Sequence, residues 1–167
     1  MRRDRQLQFA LIVLSQLIAL GCAKQSTQQI SAAQTVTEVQ ALVRSIADAV
    51  GKGDAGRTMD FYRRDDPTIT SASDGTLERG WQEISASTDS SMGLEGKFRL
   101  SLGSVDVTPL GPGYALAVAP ILITVPTPNG EQKVRAIWSI VARHDSTGWK
   151  VIHDHSSFQK PQKTPRE

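Results

Sequence analysis

KFRLSLGSVDVTPLGPGYALAVAPILITV, residues 97–125, is where the chain changes its period. Phe98, Leu100 and Leu102 alternate with polar residues, and Val105 and Val107 alternate in the opposite phase. A period of two is the mark of a strand with one buried face. The slip falls at Gly103-Ser104, and a slip of one residue turns the wrong face inward unless a bulge absorbs it. The spacing therefore predicts a bent strand. Tyr114 to Val125 is the next strand. Its Ala115, Ala117 and Ala119 make a small-residue face that can admit a helix or a ligand. Pro120 has no N–H to give a ladder and belongs at a bulge or an unpaired position. Asn129-Gly130 is the strongest hairpin signal in the chain. Val134 to Arg143 follows, then a turn at Asp145 to Gly148, then a last strand from Trp149 to Ser157.

Before residue 97 the period is helical. Thr35 and Glu38 have capping-box spacing. Val36, Val39, Val43, Ile46 and Val50 recur at intervals of three and four, which is one apolar helix face. Gly51 and Gly53 end it. Asp54 can cap a short second helix carrying Met59 and Tyr62, ended by Pro67. Thr68 to Ala72 reads as a short strand and Asp74-Gly75 as a turn. Trp81, Ile84 and Thr88 suggest a third helix from about residue 79. Helices first and strands afterwards mean an α+β domain, with three N-terminal helices packed on a curved, mostly antiparallel sheet.

The N-terminus reads as a targeting segment. Arg2, Arg3 and Arg5 precede FALIVLSQLIAL, residues 9–20. A spanning helix needs about 20 apolar residues, so this length suits the core of a signal peptide. Ala19-Leu20-Gly21-Cys22 follows, and Cys22 is the only cysteine. Disulfides within the chain are thereby excluded. Residues 23–34 are small and polar, a tether by composition. Without residues 1–21 the chain carries 16 basic and 16 acidic side chains. That balance speaks against nucleic acid as a partner, which would want a basic patch.

The Ala-Leu-Gly-Cys segment resembles a bacterial lipoprotein signal. The resemblance implies removal of residues 1–21, lipidation of Cys22, a tether over 22–35, a domain over 36–158 and a polar tail over 159–167. It also implies a place in the cell envelope, with the membrane as a partner through the lipid. The domain resembles the NTF2-like superfamily, a cone of bent sheet with helices in its mouth, in its SnoaL-like and DUF4440 branch. The similarity is carried by Gly53-Asp54, Phe61-Tyr62 and Asp65-Asp66-Pro67. It continues in Asp74-Gly75 with Gly80-Trp81-Gln82-Glu83-Ile84, and in Gly148-Trp149, Val151-Ile152-His153 and His155-Ser156-Ser157. The aspartate that serves as base in the isomerase branch has no counterpart placed by these motifs.

The last of them, GWKVIHDHSS at 148–157, holds two of the three histidines. In a regular strand His153 and His155 share a face with Val151, and Asp154 points the other way. A His–Asp–His relay is thereby excluded. Metal is not expected: a catalytic zinc wants about three protein ligands, and His144 lies at the far end of the hairpin. No Gly-x-Ser-x-Gly elbow and no glycine-rich phosphate loop occurs, and no cofactor is expected. If Arg143 pairs with Lys150, Trp138 falls opposite His155 and Ile140 opposite His153. That face would be aromatic and apolar with polar handles, as small-molecule pockets are. Tyr62 and Trp81 could close over it from the helical side. The expected ligand-binding residues are Tyr62, Trp81, Trp138, His153 and His155. Three functions follow from this reading. The first is a non-catalytic cone holding a small apolar or aromatic ligand. The second, implied by the resemblance, is an isomerase, cyclase or dehydratase using a pocket histidine as base. The third is an interaction module, a homodimer through the outer face of the sheet.

Overall fold

A computed structural model describes residues 30–95 and 98–159 of the chain. Helix α1 spans Ala32–Gly51, α2 Ala55–Met59 and α3 Gly80–Glu95. The strands are β1 Thr70–Ser73, β2 Thr76–Arg79, β3 Arg99–Leu102, β4 Asp106–Gly111, β5 Tyr114–Thr127, β6 Gly130–Asp145 and β7 Gly148–Phe158. They form one sheet in the order β2-β1-β7-β6-β5-β3, with β4 also on β5. Among the named strands, only the β1–β7 pairing is parallel. The expected α+β architecture is the one observed, helices on one side of a mostly antiparallel sheet.

Helix α1 buries Val39, Leu42, Val43 and Ile46, the stripe its periodicity predicts. Its start differs from expectation. Ser31, not Thr35, is the N-cap, and its side chain accepts from Gln34 N. Ala32 and Ala33 carry no apolar period, but alanine is the best helix former, so the helix runs into the expected tether. Glu38 accepts from Gln34 Nε2 and from Trp149 Nε1 instead of closing a capping box. The helix lies across β3, β4, β5 and β7, over the buried Ala115, Ala117 and Ala119.

Helix α2 is capped by Asp54, whose Oδ1 accepts from Arg57 N. It stops at Met59, well before Pro67, because Phe61 and Arg63 turn their backbones onto β7: Val151 N donates to Phe61 O and Arg63 N to Val151 O. Asp74 and Gly75 both have positive φ, the geometry of a tight hairpin turn. That turn returns the chain as β2, a strand the sequence reading did not separate. α3 packs on β1 and β2.

The slip at Gly103-Ser104 divides the predicted bent strand into two. Leu102 pairs with Ile121, and Asp106 with Val118, so one extra residue is taken up between them. Pro120 sits opposite this break, where its carbonyl accepts from Gly103 N. Gln40 Nε2 on α1 holds the same bend through Val105 O. A Cβ on Gly103 would stand 2.7 Å from Pro120 Cγ and 3.1 Å from its carbonyl oxygen. Neither a proline ring nor a backbone oxygen can swing away. Gly103→Ala is therefore expected to cost about 1–3 kcal/mol, the usual range for overpacking, measured by urea unfolding.

One charged cluster ties the segment before β1 to the β6–β7 turn. Arg63 is largely buried and bonds Asp145 at 2.7 Å, with Asp65 and Asp66 beside it. Hydrogen bonds from Thr68 hold the Asp66 carboxyl below its ordinary range, helped by the charge of Arg63. Thr147 does the same for Asp145, again with Arg63. Both groups bind their protons less tightly folded than unfolded, so the unfolded chain takes up protons first as pH falls. Their stabilisation is complete above the unfolded carboxylate value of about 4. It is lost as pH drops through the lowered folded values. Melting temperatures are expected to hold steady from neutrality to about pH 5 and to fall below about pH 4, with Thr68→Val and Thr147→Val together flattening that fall more than Arg63→Met does.

Candidate functional site

The helices and the facing side of the sheet border a half-open cavity of about 560 Å³. Ile46, Val50, Leu100, Ile121, Ile123 and Val125 give it one apolar wall. The opposite wall, from β1, β7 and α3, carries Ser71, Ser73, Ser156, Thr88 and Ser91. Tyr62, Trp138, Phe158 and Asp154 also line it.

Asp154 is the polar centre of this cavity. It is 8% exposed. Its Oδ2 accepts from the Tyr62 hydroxyl at 2.7 Å and from Trp138 Nε1 at 3.4 Å. Its Oδ1 is buried and has no partner. Burial and then the neighbouring Asp154 charge push the Tyr62 hydroxyl well above the ordinary phenol range, so Tyr62 is a neutral donor at any physiological pH. An unpaired buried acceptor costs about 1–3 kcal/mol; Oδ1 has almost no accessible surface, so a donor in the cavity recovers that cost once a neighbouring side chain moves aside.

The histidines lie elsewhere. Arg143 does pair with Lys150, and Ala142 with Val151, but Val141 pairs with His153. Ile152 is the extra residue of a bulge. A bulge inverts the face of everything beyond it, so Asp154 joins Val151 on the helix side and both histidines turn outward. The expected partners are corrected accordingly: His155 faces Ser139, His153 faces Val141, Trp138 faces Ser156 and Ile140 faces Asp154. His153 is half-buried, with Nδ1 at 2.7 Å from Thr70 Oγ1. His155 is exposed. Among the described residues no carboxylate bonds either ring, so the histidine-based chemistry lacks its second group.

Of the five residues expected at the pocket, the fold brings Tyr62 and Trp138 together in the cone. Trp81 is half-buried at its flank. Its Nε1 donates to Met59 O, and Arg64 stacks on the ring at 4.2 Å. It lines an outer cleft that shares Tyr62 with the cone. Cys22 and the segment before it lie outside the described residues. Asp154 was missed, although a signal existed. Trp149 and Val151 set one phase in β7 and Phe158 the other, so an inversion has to fall between them.

A second concavity, about 660 Å³, lies on the outer face of the sheet beside Pro120, Leu122, Arg135 and the exposed Ile137. It is larger, but it holds no buried polar group, whereas the cone is built around one.

Among solved structures, an NTF2-like superfamily protein from Salmonella enterica serovar Typhimurium superposes with a TM-score of 0.69 at 19% identity, covering 81% of this chain and 98% of its own. A proposed dehydratase of the NTF2-like family from Streptomyces avermitilis gives 0.68 at 17% identity, with 75% and 97% covered. A protein with a cystatin-like fold from Caulobacter vibrioides gives 0.66 at 20% identity, with 77% and 92% covered. These likenesses establish the NTF2-like fold. No curated protein matches the chain by sequence. The family model of the SnoaL-like domain matches residues 39–161, most of the chain; the protein belongs to the SnoaL-like domain family.

Proposed function

We propose that the cone binds a small, mainly apolar molecule through a hydrogen-bond donor placed at Asp154. One observation carries this reading: a buried carboxylate with one oxygen held by Tyr62 and Trp138 and the other unpaired, in the wall of an otherwise apolar and hydroxyl-lined cavity. Apolar pockets with a few fixed polar groups are the usual form of small-molecule sites. Naphthalenemethanol, an apolar body with one donor, is a suitable probe. Its affinity by calorimetry is expected to fall at least about tenfold in Asp154→Leu, equivalent to one lost hydrogen bond. His155→Ala, on the outer face, should leave it unchanged. Equal affinity in wild type and Asp154→Leu would overturn the assignment.

The Tyr62–Asp154 pair also favours a second reading, proton transfer within the cone. A carboxylate fixed by a neutral phenol is a competent acceptor for a substrate proton. The Streptomyces neighbour described as a proposed dehydratase has the same fold. In this reading Asp154 is the base and Tyr62 its positioning donor. Turnover of any substrate found should then be lost in Asp154→Asn while binding persists.

Around either reading we place the chain in the cell envelope, tethered by a lipid on Cys22. Support comes from the Arg-rich start, the short apolar core and the single cysteine. Mass spectrometry of the mature N-terminus tests it.

A further inference from the structure

The charge of the cone narrows what it can hold. Two titratable carboxylates line it, Asp154 in the wall and Asp74 at the β1–β2 turn. Glu78 on β2, half-buried opposite Ser71, adds a third negative group close enough to raise the Tyr62 hydroxyl. Among the described residues that line the cavity there is no lysine, arginine or histidine. Arg63 is engaged by Asp145 and Asp65, and both outward histidines belong to the other face. The two donors that reach Asp154, a phenol and an indole, are neutral.

A buried carboxylate is ordinarily compensated by a cation, because its lost hydration is not restored by neutral donors alone. Among the described residues that line the cavity there is none. An anionic ligand, whether carboxylate or phosphate, would meet repulsion from Asp154 and Asp74, with no cation among the described lining residues to neutralise it. A bare metal ion would be poorly held, since no group of three or more metal-binding side chains occurs among the described residues. An organic cation meets every condition. Its charge answers Asp154, and its apolar body packs on the wall of Ile121 and Ile123.

We infer that the cone is selective for an amine, a protonated ammonium on an apolar or aromatic body, with the ammonium at Asp154. This rests on the binding reading above and adds the ligand's charge to it. Amines that are cationic at neutral pH should be favoured over neutral donors of the same shape, and carboxylates should be excluded.

The test compares three probes of one shape on the wild-type protein: naphthylmethylamine, naphthalenemethanol and naphthoate, by calorimetry at pH 7. The amine is expected to bind at least about tenfold more tightly than the alcohol, and naphthoate not measurably. In Asp154→Asn, which keeps an acceptor for Tyr62 but removes the charge, the amine should fall to the level of the alcohol. If the alcohol binds as tightly as the amine to wild type, or naphthoate binds as well as either, amine selectivity is wrong while the binding reading stands. If none of the three binds, both are wrong. The wild-type comparison needs no variant, so a poorly folded Asp154→Asn cannot rescue the idea.

Discussion

Trp138→Ala is expected to cost about 3–5 kcal/mol, the range for truncating a buried Trp. The indole is 6% exposed and stands in β6, the central strand, with Ala119 beside it on β5 and Ser156 on β7. Its neighbours on the sheet are small, so nothing on either side can expand into the space it leaves. The change also removes the Nε1 donor to Asp154 and leaves the carboxylate with Tyr62 alone. Domains of this size have a net stability of about 5–15 kcal/mol, and the loss should lower the melting temperature by roughly 10–20 °C. Trp138→Phe retains most of the packing and should cost less than half as much. Because Trp138 also walls the cone, the alanine variant should have a larger cavity. A loss under 1 kcal/mol would mean that β6 is not packed as described.

The architecture could be read from the sequence because its carriers are periodic. The Val39–Val43–Ile46 stripe, the alternation after residue 97 and the phase slip at Gly103 each state which face is buried, and burial decides the layers. Features without an apolar period were silent. Ser31 caps α1 through its own hydroxyl, and no apolar period begins there. β2 reads Thr-Leu-Glu-Arg and lies mostly exposed at a sheet edge, so only its turn was visible. The site failed for a different reason. GWKVIHDHSS contains nothing that marks Ile152 as extra, since a bulge is chosen by the whole sheet: Trp149 and Val151 must pack on one side, and Phe158 must reach the same side seven residues later. Strand parity applied without that long-range condition put the histidines in the cone and Asp154 outside it. With the condition, each exchanges places. Trp138 is expected in the cone from a register that sets it opposite His155; the bulge lies in β7, so Trp138 keeps its face on β6 while its partner becomes Ser156.

The same bulge makes a prediction about deletions. Removing a residue from a regular strand turns over every side chain on one side of the cut. Deleting Ser139, in the middle of β6, should do this to a strand paired on both edges, exposing Trp138 or Ile140 and burying their polar neighbours. No cooperative unfolding transition is expected for that variant. Deleting Ile152 should behave otherwise. The residue has no partner on β6, so its loss brings Val151 and His153 into the adjacent register they already hold against Ala142 and Val141. Asp154 stays on the helix side and the histidines stay outside. The cost is the partly buried Ile152 side chain, about 1–2 kcal/mol, with Phe61 and Arg63 free to follow Val151 because they lie on a connecting segment rather than in a strand. Circular dichroism and urea unfolding of the two deletions separate these outcomes. If both fail to fold alike, Ile152 is not a dispensable insertion, and the placement of Asp154 in the cone loses its structural basis.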